Sequence, residues 1–199
     1  HLARSGITIC AFGDMMRVPT TIGTLNDAKA DGADVRIVYS IEDAVRMAPD
    51  LDGDIVFVAV GFETTAPSTC VPLQKDLPEN FSIYSCHRVC PPILKTIFDM
   101  GETKVQGMIE PGHVAVITGT GIFEPLAEGY KMPQVVAGFE PLDILMACYM
   151  LCRQIEEGRC EVENEYTRLV RPEGNPKAQK LMEITYDPED RAWRGFPVI

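Results

Sequence analysis

Side chains able to bind anions or transfer protons follow the ends of several predicted strands in this sequence. Asp14 and Arg17 follow the first strand. Equivalent positions after later strands hold Glu63, Thr64, Thr65, His87, His113 and Glu140. Ligands of open parallel sheets bind beyond the carboxyl ends of the strands. The spacing therefore predicts a polar cleft lined by carboxylates, a guanidinium and imidazoles.

The residue types suggest different roles for the cationic and the acidic side chains of this cleft. Arg17 and His113 would hold or polarise a small anionic ligand, while Glu63 and Glu140 would fix those cations or relay protons. Thr64 and Thr65 have a second interpretation, because threonine is also a good helix N-cap and would stand here without any functional role. Both interpretations of the two threonines stay open at the level of sequence.

The seven cysteines do not form a recognisable ligand set. Their odd number and their place within apolar runs favour reduced thiols in a cytoplasmic protein over a disulfide framework. Cys86 and Cys90 flank His87 and are the only candidates for metal binding, but no second pair completes a tetrahedral site. Cys148 and Cys152 share a helical face with Leu145 and Ile155, which predicts that both thiols are buried in the core.

Alternating strands and helices must position these residues. Strands are predicted at 7–12, 34–39, 54–62, 81–86, 106–110, 114–118 and 134–139. The helices between and after them are predicted at 24–30, 41–48, 65–77, 91–100, 122–130, 141–157 and 176–182. This alternation indicates an α/β fold whose parallel sheets are flanked by helices.

A repeated motif suggests that the fold has two Rossmann-like halves. Gly-Phe-Glu ends a strand and precedes a helix at 61–63 and again at 138–140. We therefore expect chain crossings near 63–65 and 139–141. The resulting domains are 1–64 with 141–199, an α/β domain that lacks its N-terminal part, and 65–140, a second α/β domain.

Charge and hydropathy exclude two classes of partner. The chain has 18 basic and 29 acidic residues, a net charge of -11, which opposes binding to nucleic acid or to anionic membranes. No apolar run approaches the ~20 residues that cross a bilayer. The chain begins with His1 rather than Met and ends without a polar tail, and we interpret it as a piece of a longer protein.

Four sequence blocks resemble the HypD family of hydrogenase maturation proteins. They are Phe-Gly-Asp-Met-Met-Arg-Val-Pro at 12–19, Gly-Phe-Glu-Thr-Thr-Ala-Pro at 61–67, Pro-Gly-His-Val at 111–114 and Val-Ala-Gly-Phe-Glu-Pro-Leu-Asp-Ile-Leu at 136–145. The segments at 34–40 and 171–175 are also similar. The blocks occur in order along nearly the whole chain.

The resemblance implies a cytoplasmic assembly scaffold that assists redox chemistry rather than an ordinary enzyme. Proteins of this family act with the small chaperone HypC, and on them an iron atom acquires cyanide and carbon monoxide ligands for nickel-iron hydrogenase. HypE donates the cyanide. The family architecture is two related α/β domains and a region that holds a [4Fe-4S] cluster.

The chain departs from the family pattern by what it lacks. The family's Cys-Gly-Thr and Cys-Pro-x-Cys segments and its cluster cysteines have no counterpart here. The resemblance therefore implies that the iron-binding thiols and the iron-sulfur region lie outside this chain, which alone would be inactive and free of metal. The alternative from a different class is a two-lobed α/β module that binds a small metabolite.

Overall fold

The computed structural model, which describes residues 1–199, contains two separate sheets whose strands are all parallel. The first sheet has the strand order β2-β1-β3-β4, and the second has the order β5-β6-β7. Helices flank both sheets, which confirms the predicted α/β class. None of the helices combines the length with the continuous apolar character that a membrane-spanning helix requires.

The first sheet belongs to a unit formed by His1–Gly61 and Thr65–Arg88. Its strands are β1 (Thr8–Ala11), β2 (Val35–Ile37), β3 (Ile55–Gly61) and β4 (Phe81–His87). Its helices are α1 (Leu25–Ala30), α2 (Ile41–Met47) and α3 (Ala66–Cys70), with short 3-10 turns at Leu2–Ser5, Gly13–Arg17, Ala48–Asp50 and Pro72–Gln74.

Reciprocal capping bonds determine where α1 and α2 begin. Thr24 caps α1 and Asp27 returns the bond, while Ser40 and Asp43 do the same for α2. Each pair satisfies backbone N–H groups that the first helical turn leaves without partners. Between the helices and the sheet, a core forms around the fully buried ring of Phe57, which meets Phe12 edge to face at 5.5 Å between ring centroids.

The second unit is formed by Phe62–Thr64 and Val89–Ile199. Its strands are β5 (Met108–Pro111), β6 (Gln134–Ala137) and β7 (Val162–Asn164). Its helices are α4 (Cys90–Asp99), α5 (Gly112–Thr118), α6 (Glu124–Tyr130), α7 (Pro141–Glu157) and α8 (Pro176–Thr185), with a 3-10 turn at Gly121–Phe123. Phe123, Val136 and Tyr166 lie in its core.

The division into units differs from the predicted domain boundaries of 1–64 with 141–199 and of 65–140. Strand β4 pairs with β3 over seven residues, so the chain does not leave the first sheet near 63–65 as expected. Helix α7 packs on β6 and stays with the second sheet, so 139–141 is not a crossing either. Apart from Phe62–Thr64, the change of unit falls between Arg88 and Val89.

Two elements differ in type from the sequence prediction. Residues 114–118, predicted as a strand because of their β-branched side chains, form most of helix α5. Val114 and Ala115 of this helix are buried against the second sheet's core, and that packing outweighs the modest β-preference of valine and isoleucine. Strand β7, a short edge strand in a polar segment, was not expected.

The prediction that Cys148 and Cys152 are buried is wrong. Both thiols are exposed, and the buried residues of α7 are Asp143, Ala147 and Gln154. Gln154 donates from Nε2 to the backbone oxygen of Gln134 at 3.2 Å and to Glu163 Oε2 at 2.7 Å. These hydrogen bonds orient a partly polar face of α7 toward the sheet and leave the more apolar face outside.

We expect replacement of Cys148 and Cys152 by alanine to change the free energy of unfolding by less than about 0.5 kcal/mol, the usual range for exposed positions. The matched variant Cys10→Ala, which truncates a fully buried thiol on β1, should cost about 1 kcal/mol or more. Urea denaturation followed by circular dichroism measures both. An equal cost for the exposed pair and for Cys10 would contradict the observed orientation of α7.

Candidate functional site

Asp14 and Arg17 lie on the 3-10 turn that directly follows β1 in the first unit. Both side chains are exposed. Asp14 Oδ1 accepts a hydrogen bond from the backbone N–H of Met15 at 3.0 Å, which fixes the turn. Arg17 therefore projects from a defined turn at the carboxyl end of β1, as the strand-end pattern predicted.

His87, the last residue of β4, is held by two contacts within the first unit. Its Nδ1 lies 3.2 Å from the carbonyl oxygen of Gly61, and its Nε2 lies 3.0 Å from Thr69 Oγ1. A carbonyl only accepts, so Nδ1 carries the proton and Nε2 accepts from the Thr69 hydroxyl. Burial lowers the pKa of the imidazole, which keeps His87 in this neutral form.

Thr64 and Thr65 have different environments. Thr64 is exposed and belongs to the second unit, whereas Thr65 is half-buried and belongs to the first. Thr65 precedes α3 as its N-cap residue, and its hydroxyl donates to the backbone oxygen of Val60 at 3.4 Å. That hydroxyl makes no capping bond to α3, so the N-cap interpretation describes its position and not its hydrogen bonding.

Glu63 is buried in the second unit, where it contacts the start of α4. Its Oε1 accepts a hydrogen bond from the backbone N–H of Cys90 at 2.9 Å, while Oε2 has no hydrogen-bond partner. Burial raises the pKa of this carboxyl. Glu63 thus anchors the N-terminus of α4, a different contact from the arginine or histidine partner expected from sequence.

Cys86 and Cys90, the two metal candidates, have environments that disfavour the thiolate. Burial raises the pKa of Cys86. Burial, reinforced by the nearby carboxyls of Glu63 and Glu110, raises the pKa of Cys90 to about 12. Cys86 lies on β4 in the first unit and Cys90 begins α4 in the second. The structure brings no three His, Cys, Asp or Glu side chains into an arrangement suited to a metal ion.

His113 is exposed at the carboxyl end of β5, where α5 begins. Its imidazole lies 4.6 Å from the Phe139 ring and 6.2 Å from the Tyr166 ring, measured between centroids. Phe139 is itself 63% exposed, whereas Tyr166 is buried. The two rings support an imidazole that remains accessible to solvent and to a ligand.

An ion-pair cluster stands beside this imidazole. The Arg168 guanidinium lies 4.4 Å from the centroid of the Tyr166 ring and binds Asp143 Oδ2 at 2.6 Å. Glu140 Oε2 is 3.8 Å from the same guanidinium. Arg168 holds the pKa of the Asp143 carboxyl below its ordinary value. Because two carboxylates already compensate its charge, Arg168 orients the cluster rather than offering a free cation.

The predicted cleft residues therefore fall into two groups. Asp14, Arg17, Thr65 and His87 lie in the first unit, and Glu63, Thr64, His113 and Glu140 lie in the second. Within the second group, His113 and Glu140 follow the carboxyl ends of the paired strands β5 and β6. They are linked through four residues that the sequence prediction missed: Phe139, Asp143, Tyr166 and Arg168.

Only part of that cluster left a signal in the sequence. Asp143 stands three residues after Glu140 and accepts from its backbone N–H at 3.2 Å, which is the spacing of a capping box at the start of α7. Phe139 is the last residue of the predicted strand 134–139, and the observed strand ends two residues earlier, at Ala137. Tyr166 and Arg168 follow the unexpected strand β7, and no motif marked them.

Comparison with known proteins gives matches along the whole chain. A family model described as HypD, the hydrogenase formation hypA family, matches residues 1–199. A hydrogenase expression/formation protein of Methanocaldococcus jannaschii is 48% identical over 204 residues, covering 100% of this chain and 56% of that protein.

Two relatives from rhizobial bacteria give the same picture. Hydrogenase maturation factor HypD of Rhizobium leguminosarum bv. viciae is 44% identical and covers 97% of this chain and 53% of its own length. Hydrogenase maturation factor HypD2 of Bradyrhizobium diazoefficiens is 43% identical, with 97% and 54% covered. The chain thus spans about half the length of the curated relatives it matches.

Proposed function

This chain belongs to the HypD family of hydrogenase formation proteins, and we propose that it forms the two-sheet part of a hydrogenase maturation factor. The observation that carries the proposal is the family match over residues 1–199. Relatives named as hydrogenase maturation factors are similar over nearly all of this chain. A match confined to one short motif would not support this function, because unrelated proteins with different functions share the α/β fold.

We further propose that the protein is an assembly scaffold in the cytoplasm, acting with HypC, on which iron acquires cyanide and carbon monoxide. The cyanide would come from HypE. Iron is cargo in this scheme rather than a resident cofactor. The support is the set of sequence blocks at 12–19, 61–67, 111–114 and 136–145, whose polar residues follow strands of both sheets.

The residues of this chain do not fit a [4Fe-4S] cluster, which needs about four converging thiolates. Cys10, Cys70 and Cys90 are buried separately, and burial raises the pKa of Cys10 to about 11. No group of three potential ligands converges anywhere in the two units. We propose that a cluster in the complete protein takes its ligands from cysteines other than these seven.

His113 is the residue of the second unit best placed to contact a small anionic ligand. Its imidazole is exposed and supported by Phe139, and a ring N–H of this kind donates a hydrogen bond to an anion such as cyanide or a thiolate. Glu63 plays a different part, because its bond to the Cys90 N–H positions α4. We assign His113 to ligand binding and Glu63 to positioning.

Complementation tests this proposal. In a hydrogenase-producing host that lacks its own HypD protein, the complete coding sequence containing this chain should restore hydrogenase activity. His113→Ala should reduce that activity roughly tenfold or more, because a hydrogen bond to a charged ligand contributes ~1.5–3 kcal/mol. Activity is measured together with the amount of variant protein in the cell.

The control is Tyr39→Ala, which removes a ring that is 92% exposed in the first unit and should leave activity unchanged. Failure of the unaltered sequence to complement would contradict the maturation function. Normal activity of the His113 variant, with the unaltered sequence active, would contradict only the role of His113.

A further inference from the structure

Cys148 and Cys152 are the two exposed cysteines of the chain, and they lie on successive turns of α7. Cys10, Cys70 and Cys90 are buried, and Cys86 and Cys160 are half-buried. Cys160 Sγ also lies 3.1 Å from the backbone oxygen of Lys131. Only the α7 pair therefore combines accessibility with proximity, whatever function the rest of the chain has.

The helical spacing of this pair suits a bridging ion better than a disulfide. Residues i and i+4 of a helix have Cβ atoms about 5–6 Å apart, whereas a disulfide needs ~3.5–4.5 Å. An intact α7 consequently disfavours a disulfide between these two thiols. Two metal–sulfur bonds of about 2.3 Å each span roughly 4.6 Å, a distance that two sulfur atoms on this helical face reach by rotamer choice.

The surroundings of the pair define the class of ion. Ile144, Leu145 and Ile155, which flank the two thiols on α7, are partly exposed apolar side chains that offer no donor atom. Glu156, one turn after Cys152, is an exposed carboxylate on the same helical face. No third His, Cys, Asp or Glu completes a larger ligand set. Zinc sites take four ligands, whereas soft thiolate donors select copper(I).

We propose that Cys148 and Cys152 form a two-thiolate binding site for copper(I). Binding replaces two S–H bonds by two Cu–S bonds and releases two protons to solvent, and no electron is transferred. The complex carries one negative charge. Because both protons leave, the affinity increases as the pH rises.

Anaerobic competition between the 199-residue chain and the copper(I) chelator bicinchoninate tests the site. The unaltered chain should bind one equivalent of copper(I) that resists the chelator. Cys148→Ser, Cys152→Ser and the double variant should each weaken that equivalent by at least about 100-fold, because one remaining thiol cannot replace the two-point attachment. X-ray absorption should show two sulfur ligands per copper.

A register variant provides the matched control. Combining Cys152→Ser with Arg153→Cys keeps two thiols on exposed positions of α7 but places them five residues apart, on different faces. This variant should bind as weakly as the double serine variant while circular dichroism shows an unchanged helix content. Equal binding by the unaltered chain and the double serine variant, or full binding by the register variant, would refute the site.

Discussion

Replacing Gly112 with alanine should destabilise the second unit by about 3 kcal/mol or more. Gly112 is the first residue of α5, and a Cβ atom there would lie 2.2 Å from the backbone oxygen of Ala137 and 2.7 Å from Tyr166 Cδ1. Ala137 is paired with Pro111 in the β5–β6 ladder. The obstructing atom thus belongs to the sheet itself and cannot move aside as a flexible side chain would.

The measurement is urea denaturation followed by the fluorescence of Trp193, the single tryptophan, which lies in the second unit. Gly129→Ala is the control, because a Cβ on Gly129 would have no atom within 4 Å. Gly129 lies inside α6, so alanine there should be neutral or should stabilise by up to ~1 kcal/mol. If Gly112→Ala unfolds within about 1 kcal/mol of the unaltered chain, the close approach of α5 to β6 is contradicted.

Glu110→Gln should stabilise the protein above neutral pH by up to about 3 kcal/mol and have little effect near pH 4. Glu110 is 1% exposed on β5, and burial raises its pKa from 4.5 to about 7. The neighbouring polar group is the side-chain amide of Gln134. Its nitrogen donates to Glu110 Oε1 at 2.9 Å, and its oxygen accepts from the backbone N–H of Ala127 at 2.8 Å.

The direction of this pH dependence follows from the number of protons that the folded and unfolded states bind. Between pH 4.5 and 7 the folded protein keeps the proton on Glu110 while the unfolded chain releases it, so the stability contributed by this group is complete below pH 4.5 and decreases up to pH 7. Each unit of pKa difference corresponds to ~1.36 kcal/mol. Glutamine keeps the shape and a hydrogen-bonding oxygen but does not ionise, so it removes this dependence.

Urea denaturation between pH 4 and pH 8.5 gives the difference in unfolding free energy between the variant and the unaltered chain. Taking the difference cancels the titration of other buried groups such as Glu63. The control Glu102→Gln changes an exposed carboxyl and should give a difference that does not vary with pH. A flat difference for Glu110→Gln as well would show that Glu110 is ionised in the folded protein.

Most strands of the two sheets could be predicted from the sequence, because buried parallel strands form apolar runs that alternate with helical segments. The fully apolar strand that became β3 and the Pro-initiated helix α7 were both predicted in place. Helix α5 was not, since Val114, Val116 and Ile117 favour a strand locally and only their packing decides for a helix. The same limitation affected the crossing points, because nothing local to Glu63 shows that β3 pairs with β4.

Burial on α7 could not be inferred from hydropathy. The helix carries apolar residues around most of its circumference, and Leu142, Leu145 and Tyr149 are all more than half exposed. Its orientation depends on polar partners: Gln154 binds the backbone of Gln134, and Asp143 binds Arg168. Such partners come from elements distant in the chain, so a one-dimensional pattern does not contain them.

The candidate site was predictable as far as the strand-end rule applies. His113 and Glu140 were each expected just beyond the end of a strand, and the pairing of β5 with β6, which was not predicted, brings those two ends together. The partner of Glu140 was expected to be a cation of the predicted cleft, but it is Arg168. Arg168 lies beyond β7, a three-residue strand too short to leave a pattern.

The anchoring of α4 by Glu63 has a consequence for the order in which the chain folds during synthesis. Glu63 leaves the ribosome 27 residues before Cys90, its hydrogen-bond partner. All of β4 emerges in that interval, so the first sheet can be completed while the carboxyl of Glu63 is still hydrated. We therefore expect the first sheet to form first during synthesis, with the Glu63 side chain becoming buried only when the second unit assembles.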